Sequence, residues 1–110
     1  MKTTSETAYF AVCIWPGPDA LIAVSGELDL AAVPVFEAAI QRLDMPSVRR
    51  AVLDLRRLAF IDAAGLHAVL DLHAACRNVS TPLTIMPGPR QVQRVFQLIG
   101  ADGLLPFSQR

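Results

Sequence analysis

Two aspartates, Asp54 and Asp62, have the clearest chemical potential in this sequence, since each closes or follows an apolar run. Asp62 precedes Ala63, Ala64 and Gly65, and then Leu66, Val69 and Leu70 recur at helical spacing. A carboxylate at that place can accept from backbone N–H groups with no intrahelical partner, so Asp62 reads as a helix N-cap. A helix N-terminus carries about half a positive charge and free donors, which makes the turn receptive to an anion. Gly65 is a poor helix former, worth about 1 kcal/mol less than Ala in a helix interior. Its presence in the first turn implies that something approaches the backbone closely there.

The remaining reactive side chains form no recognisable catalytic or metal-binding set. His67 and His73 lie six apart, not at the i, i+4 spacing of a shared metal ion. His67 is expected to be exposed beside the turn and His73 partly packed. Arg90 and Arg94 read as a solvated helix face, and Trp15 as strand-end packing. The sequence contains no GxSxG, P-loop or GxGxxG motif, so no enzyme, cofactor or metal is expected. Asp54 invites comparison with the phospho-acceptor of receiver domains. Such a site also needs an acidic cluster after the first strand and a lysine on the last. Here the first strand runs into Ile14, Trp15 and Pro16, and the lone lysine is Lys2. Asp54 is instead expected to bond backbone near the loop at residues 26–29, on the same edge as the turn.

Composition narrows the class further. Ten basic and ten acidic residues balance, leaving no electrostatic footprint for nucleic acid or an anionic membrane. Cys13 and Cys76 are isolated, as expected of small buried hydrophobes in a reducing cytoplasm. No run approaches the ~20 apolar residues of a membrane span, and no secretory leader is expected. The hydrophobic share of 53% exceeds the ~45–50% of ordinary domains, which suits a two-layer fold with apolar surface left for a partner.

The elements that must position these groups can be read in order. Residues 1–7 are polar and expected to be flexible, with a single domain over 8–110. Apolar runs at 9–15 and 21–25, separated by Pro16, Gly17, Pro18 and Asp19, suggest a hairpin. Val33, Phe36, Ile40 and Leu43 form one helical face, and Pro34 confines the helix start to about residues 29–33. Residues 51–55 read as a strand buried on both faces, followed by a short extended linker and the helix that begins at 62–65. A short strand at 83–86 and a helix at 90–99 follow; Val92, Val95, Phe96 and Ile99 make its stripe and Gly100 its C-cap. Residues 104–107 are expected to pack back as an edge strand or tail.

The stretch containing Asp54-Leu55, Phe60-Ile61, Asp62 and Gly65-Leu66 resembles the signature of the STAS domain, named for sulphate transporters and anti-sigma factor antagonists. The run Gly26-Glu27-Leu28-Asp29 is similar to the one that leads into that family's first helix. The resemblance implies an α/β fold: a four- to five-stranded mixed sheet, an opening hairpin and then parallel βα units, with helices packed against it. It implies binding of an anti-sigma factor of serine-kinase type, which frees a sigma factor for transcription. The implied docking surface comprises Ser25, Gly26, Glu27, Asp29, Asp54, Asp62, Ala63, Ala64, Gly65, Leu66 and His67. It leaves room for a weak homodimer. In phospho-regulated members a serine follows the second Asp. Here that place holds Ala63 and the next Ala64, so the phospho-acceptor is lost; Ser25, Ser80 and Thr81 remain as other hydroxyls. The alternative keeps the fold and makes the chain the cytoplasmic STAS subunit of an ABC-type lipid-transport complex.

Overall fold

A computed structural model describes residues 1–108. Strands β1 (Thr3–Glu6), β2 (Phe10–Trp15) and β3 (Asp19–Leu28) lead to helix α1 (Val33–Gln41). Strand β4 (Arg50–Ile61), helix α2 (Ala63–Asn78), strand β5 (Leu83–Met86) and helix α3 (Arg90–Ile99) complete the order. The five strands form one mixed sheet in sequence order, antiparallel through β3 and parallel from β3 to β5.

The sheet has two unlike faces. Phe10, Val12 and Ile14 on β2, Ile22 and Val24 on β3, Leu53 and Leu55 on β4, and Ile85 on β5 all point into the core. Their alternates, including Cys13, Ala23, Val52 and Asp54, are only half-buried. The three helices therefore cover a single face, giving two layers. Residues 51–55 were expected to be buried on both faces; one is open. Phe36 of α1 meets Phe10 edge-on, with ring centroids 6.5 Å apart. Phe96 of α3 meets Phe107 likewise, at 5.2 Å. Gly100 ends α3 in the left-handed conformation, as its position after the apolar stripe predicts. Ile99, expected in that stripe, is exposed.

Two further expectations are corrected. Thr3–Glu6 form an edge strand on β2, not a flexible lead-in, because an antiparallel partner satisfies their backbone regardless of side-chain polarity. Residues 56–61 are not a linker but the second half of β4. Inward positions on β4 step by two from Ala51 to Leu55, then by three to Leu58 and Ile61. Register shifts against β3 at Ala23/Ser25 and Gly26/Glu27 account for the change. Each places an extra residue on β4, a β-bulge that conceals the strand from any period-two reading.

Candidate functional site

Asp62 joins two segments of the chain at the C-terminal end of β4. Its Oδ1 accepts from the Gly65 N–H at 2.9 Å, the N-cap bond of α2. Its Oδ2 accepts from the Leu30 N–H at 3.2 Å, in the loop after β3. The backbone repeats the tie, with the Asp62 N–H directed at the Leu28 carbonyl at 3.4 Å. Gly65 is what lets these segments meet: a Cβ there would stand 2.1 Å from the Leu28 carbonyl oxygen. The close approach expected at Gly65 is thus to the end of β3. Gly26 does the same where β3 meets the turn before β2: its φ is +85°, and a Cβ would fall 2.1 Å from the Tyr9 carbonyl oxygen. Asp29 holds the entry to α1 by accepting from the Ala32 N–H at 3.0 Å.

The surface of this corner carries three carboxylates, Glu27 exposed and Asp29 and Asp62 half-buried with backbone N–H partners, beside apolar groups. Ala63 is exposed on the first turn of α2, Ala64 is half-buried, and His67 is exposed one turn further on. Leu30 is 73% exposed and Phe60 48%, both beside Asp62 in space or sequence. Tyr9, also exposed, contributes the carbonyl that meets Gly26 and accepts from the Glu27 N–H. Leu30, Phe60 and Tyr9 were not among the residues that the sequence placed at this corner. For Tyr9 and Phe60 the signal that could have found them is an aromatic standing out of phase with the neighbouring buried positions; Leu30 carries no such signal.

Three residues expected in the docking surface lie away from this exposed corner. Leu66 is 1% exposed and lies in the core, because this position in the first turn of α2 faces the sheet. Asp54 is on the open sheet face, beside Ala23 and Met86 in register. Seven strand residues at about 3.3 Å each separate it from Ile61, roughly 23 Å along β4. It does not reach the loop at 26–29. Its oxygens instead take the Arg56 backbone N–H at 2.9 Å and the Arg56 guanidinium at 3.0 Å. Hydrogen bonding to that guanidinium holds the Asp54 carboxyl below the usual carboxylate range, against the opposing effect of partial burial. Ser25 shares the open face, paired with Arg57. Gly65 is buried against Leu28 beneath the turn, while Gly26, Glu27, Asp29, Asp62, Ala63 and Ala64 are brought together with His67.

Trp15 ends β2 on the open face, with the Lys2 ammonium 5.5 Å from its ring centroid. Thr81 is buried and donates to the Val48 carbonyl, so it is no exposed hydroxyl. Cys76 is buried, which raises its thiol pKa and leaves it unreactive. Among the described residues no cluster of three or more His, Cys, Asp or Glu side chains could hold a metal ion, and no helix is long and apolar enough to cross a membrane.

A family model described as Mlab, STAS domain matches residues 15–106. The fold is similar to that of the unphosphorylated anti-sigma factor antagonist SpoIIAA, at 21% identity and TM-score 0.69, covering 100% of this chain and 90% of that one. An anti-sigma factor antagonist from Mycobacterium paratuberculosis is similar at 21% identity and TM-score 0.71, covering 100% and 86%. SLC26A9 matches at 17% identity and TM-score 0.70, covering 82% of this chain and 18% of that much longer one.

Proposed function

The chain belongs to the STAS domain family, and on that premise we propose that it is a cytoplasmic regulator that acts by binding an anti-sigma factor of serine-kinase type. The observation that carries this reading is the corner built on Asp62: an exposed Ala63 at a helix N-terminus, flanked by exposed Leu30 and Phe60. Asp62 spends both carboxylate oxygens inside the protein. A partner therefore meets a preorganised, largely apolar turn with little polar surface to desolvate, which favours affinity. Binding displaces or sequesters the anti-sigma factor and frees the sigma factor. The action needs no catalysis, metal or cofactor. Ala63 has no hydroxyl, so a kinase-fold partner cannot switch the complex off at this turn, and control falls to abundance or to another site.

A second reading is supported by the family model's description and by the transporter likeness: docking of the same corner on a subunit of a membrane transport complex. Parallel affinity capture with wild-type and Ala63→Glu baits separates the two. A kinase-fold anti-sigma factor held by the wild type and lost by Ala63→Glu supports the first reading. A permease or transport ATPase with that pattern supports the second. Equal capture of either by both baits removes the turn from the interface.

A further inference from the structure

The two edges of the sheet are finished differently. Beyond β5 the chain returns, and Ile85 exchanges bonds with Pro106 and Ser108, at 2.9 and 2.8 Å, so that edge is covered. Nothing in residues 1–108 lies beyond β1. Which of its backbone groups are free follows from the ladder. Thr7 donates to the Phe10 carbonyl at 2.8 Å, so that pair is a bonded one. Bonded and non-bonded pairs alternate in an antiparallel ladder, which makes Ser5–Val12 and Thr3–Ile14 bonded, Thr4–Cys13 and Glu6–Ala11 non-bonded. The 3.1 Å separation of Thr4 Oγ1 and Cys13 Sγ fits the closer side chains of a non-bonded pair. The N–H and C=O groups of Lys2, Thr4 and Glu6 therefore point away from β2, into solvent.

We infer that β1 pairs antiparallel with β1 of a second copy about a two-fold axis at Thr4, joining two sheets into one. The outward groups sit on even-numbered residues, so only registers that place even opposite even can bond. Among these, centring on Thr4 sets Lys2 opposite Glu6 of the second copy and Glu6 opposite its Lys2. The neighbouring registers, centred on residue 3 or 5, set Lys2 or Glu6 opposite Thr4 and match no charges. Opposite charges directly across a strand pair are favourable, as is Thr against Thr. Lys2 is the chain's only lysine, and its ammonium is already held over Trp15 on the face that Thr4 and Glu6 share. Among the described residues the ion pairs are Arg50–Asp19 and Arg56–Asp54, so neither Lys2 nor Glu6 has a charged partner within the protomer. On the helical side, an open groove of about 340 Å³ between β1 and α1 is lined by Ser5, Glu6, Pro34, Val35, Ala38 and Arg42. The corner built on Asp62 follows β4, three strands further in, and stays open in each copy. Four-residue edges joined this way bury less than the roughly 1,200 Å² of a stable complex, so the dimer is weak.

Sedimentation equilibrium of the full chain, with any tag placed after residue 110, tests this up to about 1 mM, the range of weak contacts. The wild type is expected to approach dimer mass there and to lose association in 0.5 M salt. Lys2→Glu or Glu6→Lys alone places like charges opposite and should weaken association at least tenfold. The double exchange Lys2→Glu/Glu6→Lys restores opposite charges and should return it to near the wild-type value. Amide exchange gives a second readout: protection at Thr4 and Glu6 should rise with concentration, while Thr3 and Ser5 are protected throughout. A wild type that stays monomeric, single variants that associate as well as wild type, or a folded double exchange that fails to recover would each overturn the pairing.

Discussion

At residue 65 a single methyl group is too much. Its Cβ would overlap the Leu28 carbonyl oxygen and press on Ile61 Cγ1 at 2.9 Å, and both obstacles belong to strands that cannot swing aside. Gly65→Ala should therefore destabilise the protein by about 1–3 kcal/mol in urea titration, the usual cost of overpacking. Gly103→Ala, where a Cβ meets nothing within 4 Å, should change stability by less than about 0.5 kcal/mol. Equal effects would mean that the approach of β3 to α2 is not tight. Asp62 and Gly65 were legible in the sequence because capping and backbone approach are local demands, written in neighbouring residues. Asp54 was not, since its partner depended on where the strand carried it. Its carboxyl, lowered chiefly by hydrogen bonding to Arg56, contributes stability above the ordinary carboxylate range and loses it as pH falls through the depressed value. Arg56 is largely exposed, so solvent screens the pair and its contribution is small. Asp54→Asn should thus sit slightly below wild type at pH 7, and the gap should close as pH drops below about 4. A gap independent of pH would assign the difference to packing.

Among the elements, those with an uninterrupted period were read within a residue or two: β5 and α3 fall where the apolar pattern put them. The second half of β4 escaped because its bulges replace the period of two by steps of three. β1 escaped because an edge strand needs only backbone pairing, and Thr3–Glu6 bury almost nothing. The bulges also have a consequence for the site. They turn Ile61 inward and leave Phe60 outward, which delivers an aromatic to the corner and Asp62 to the cap. At the other side of β4, α3 is anchored by Phe96, fully buried and edge-on to Phe107. Phe96→Ala should cost about 3–5 kcal/mol, the range for deleting a buried aromatic. A loss below about 1 kcal/mol in denaturant titration would contradict the packing of α3 on β4.

For the molecule as a whole, placing all three helices on one face leaves each boundary of the sheet with its own character. The β5 edge is closed by the chain's return, and among the described residues the β1 edge is open. The end of β3 and β4 presents a rigid corner with exposed apolar side chains. The fold and the general place of the corner could be read from the residues at 26–29 and 62–66; its apolar rim could not, because exposure is decided by the tertiary packing. Partner binding at this corner is the central claim. The most direct test is calorimetric titration of the captured partner into wild type and Ala63→Glu, with thermal unfolding of both proteins alongside. An acidic residue in the first turn of a helix is tolerated or mildly favourable, so the unfolding midpoint should hardly move. A charge buried in the interface without a partner costs roughly 2–5 kcal/mol, so affinity should fall about thirty-fold or more. Equal affinity of the two proteins would contradict the claim, whatever partner is used.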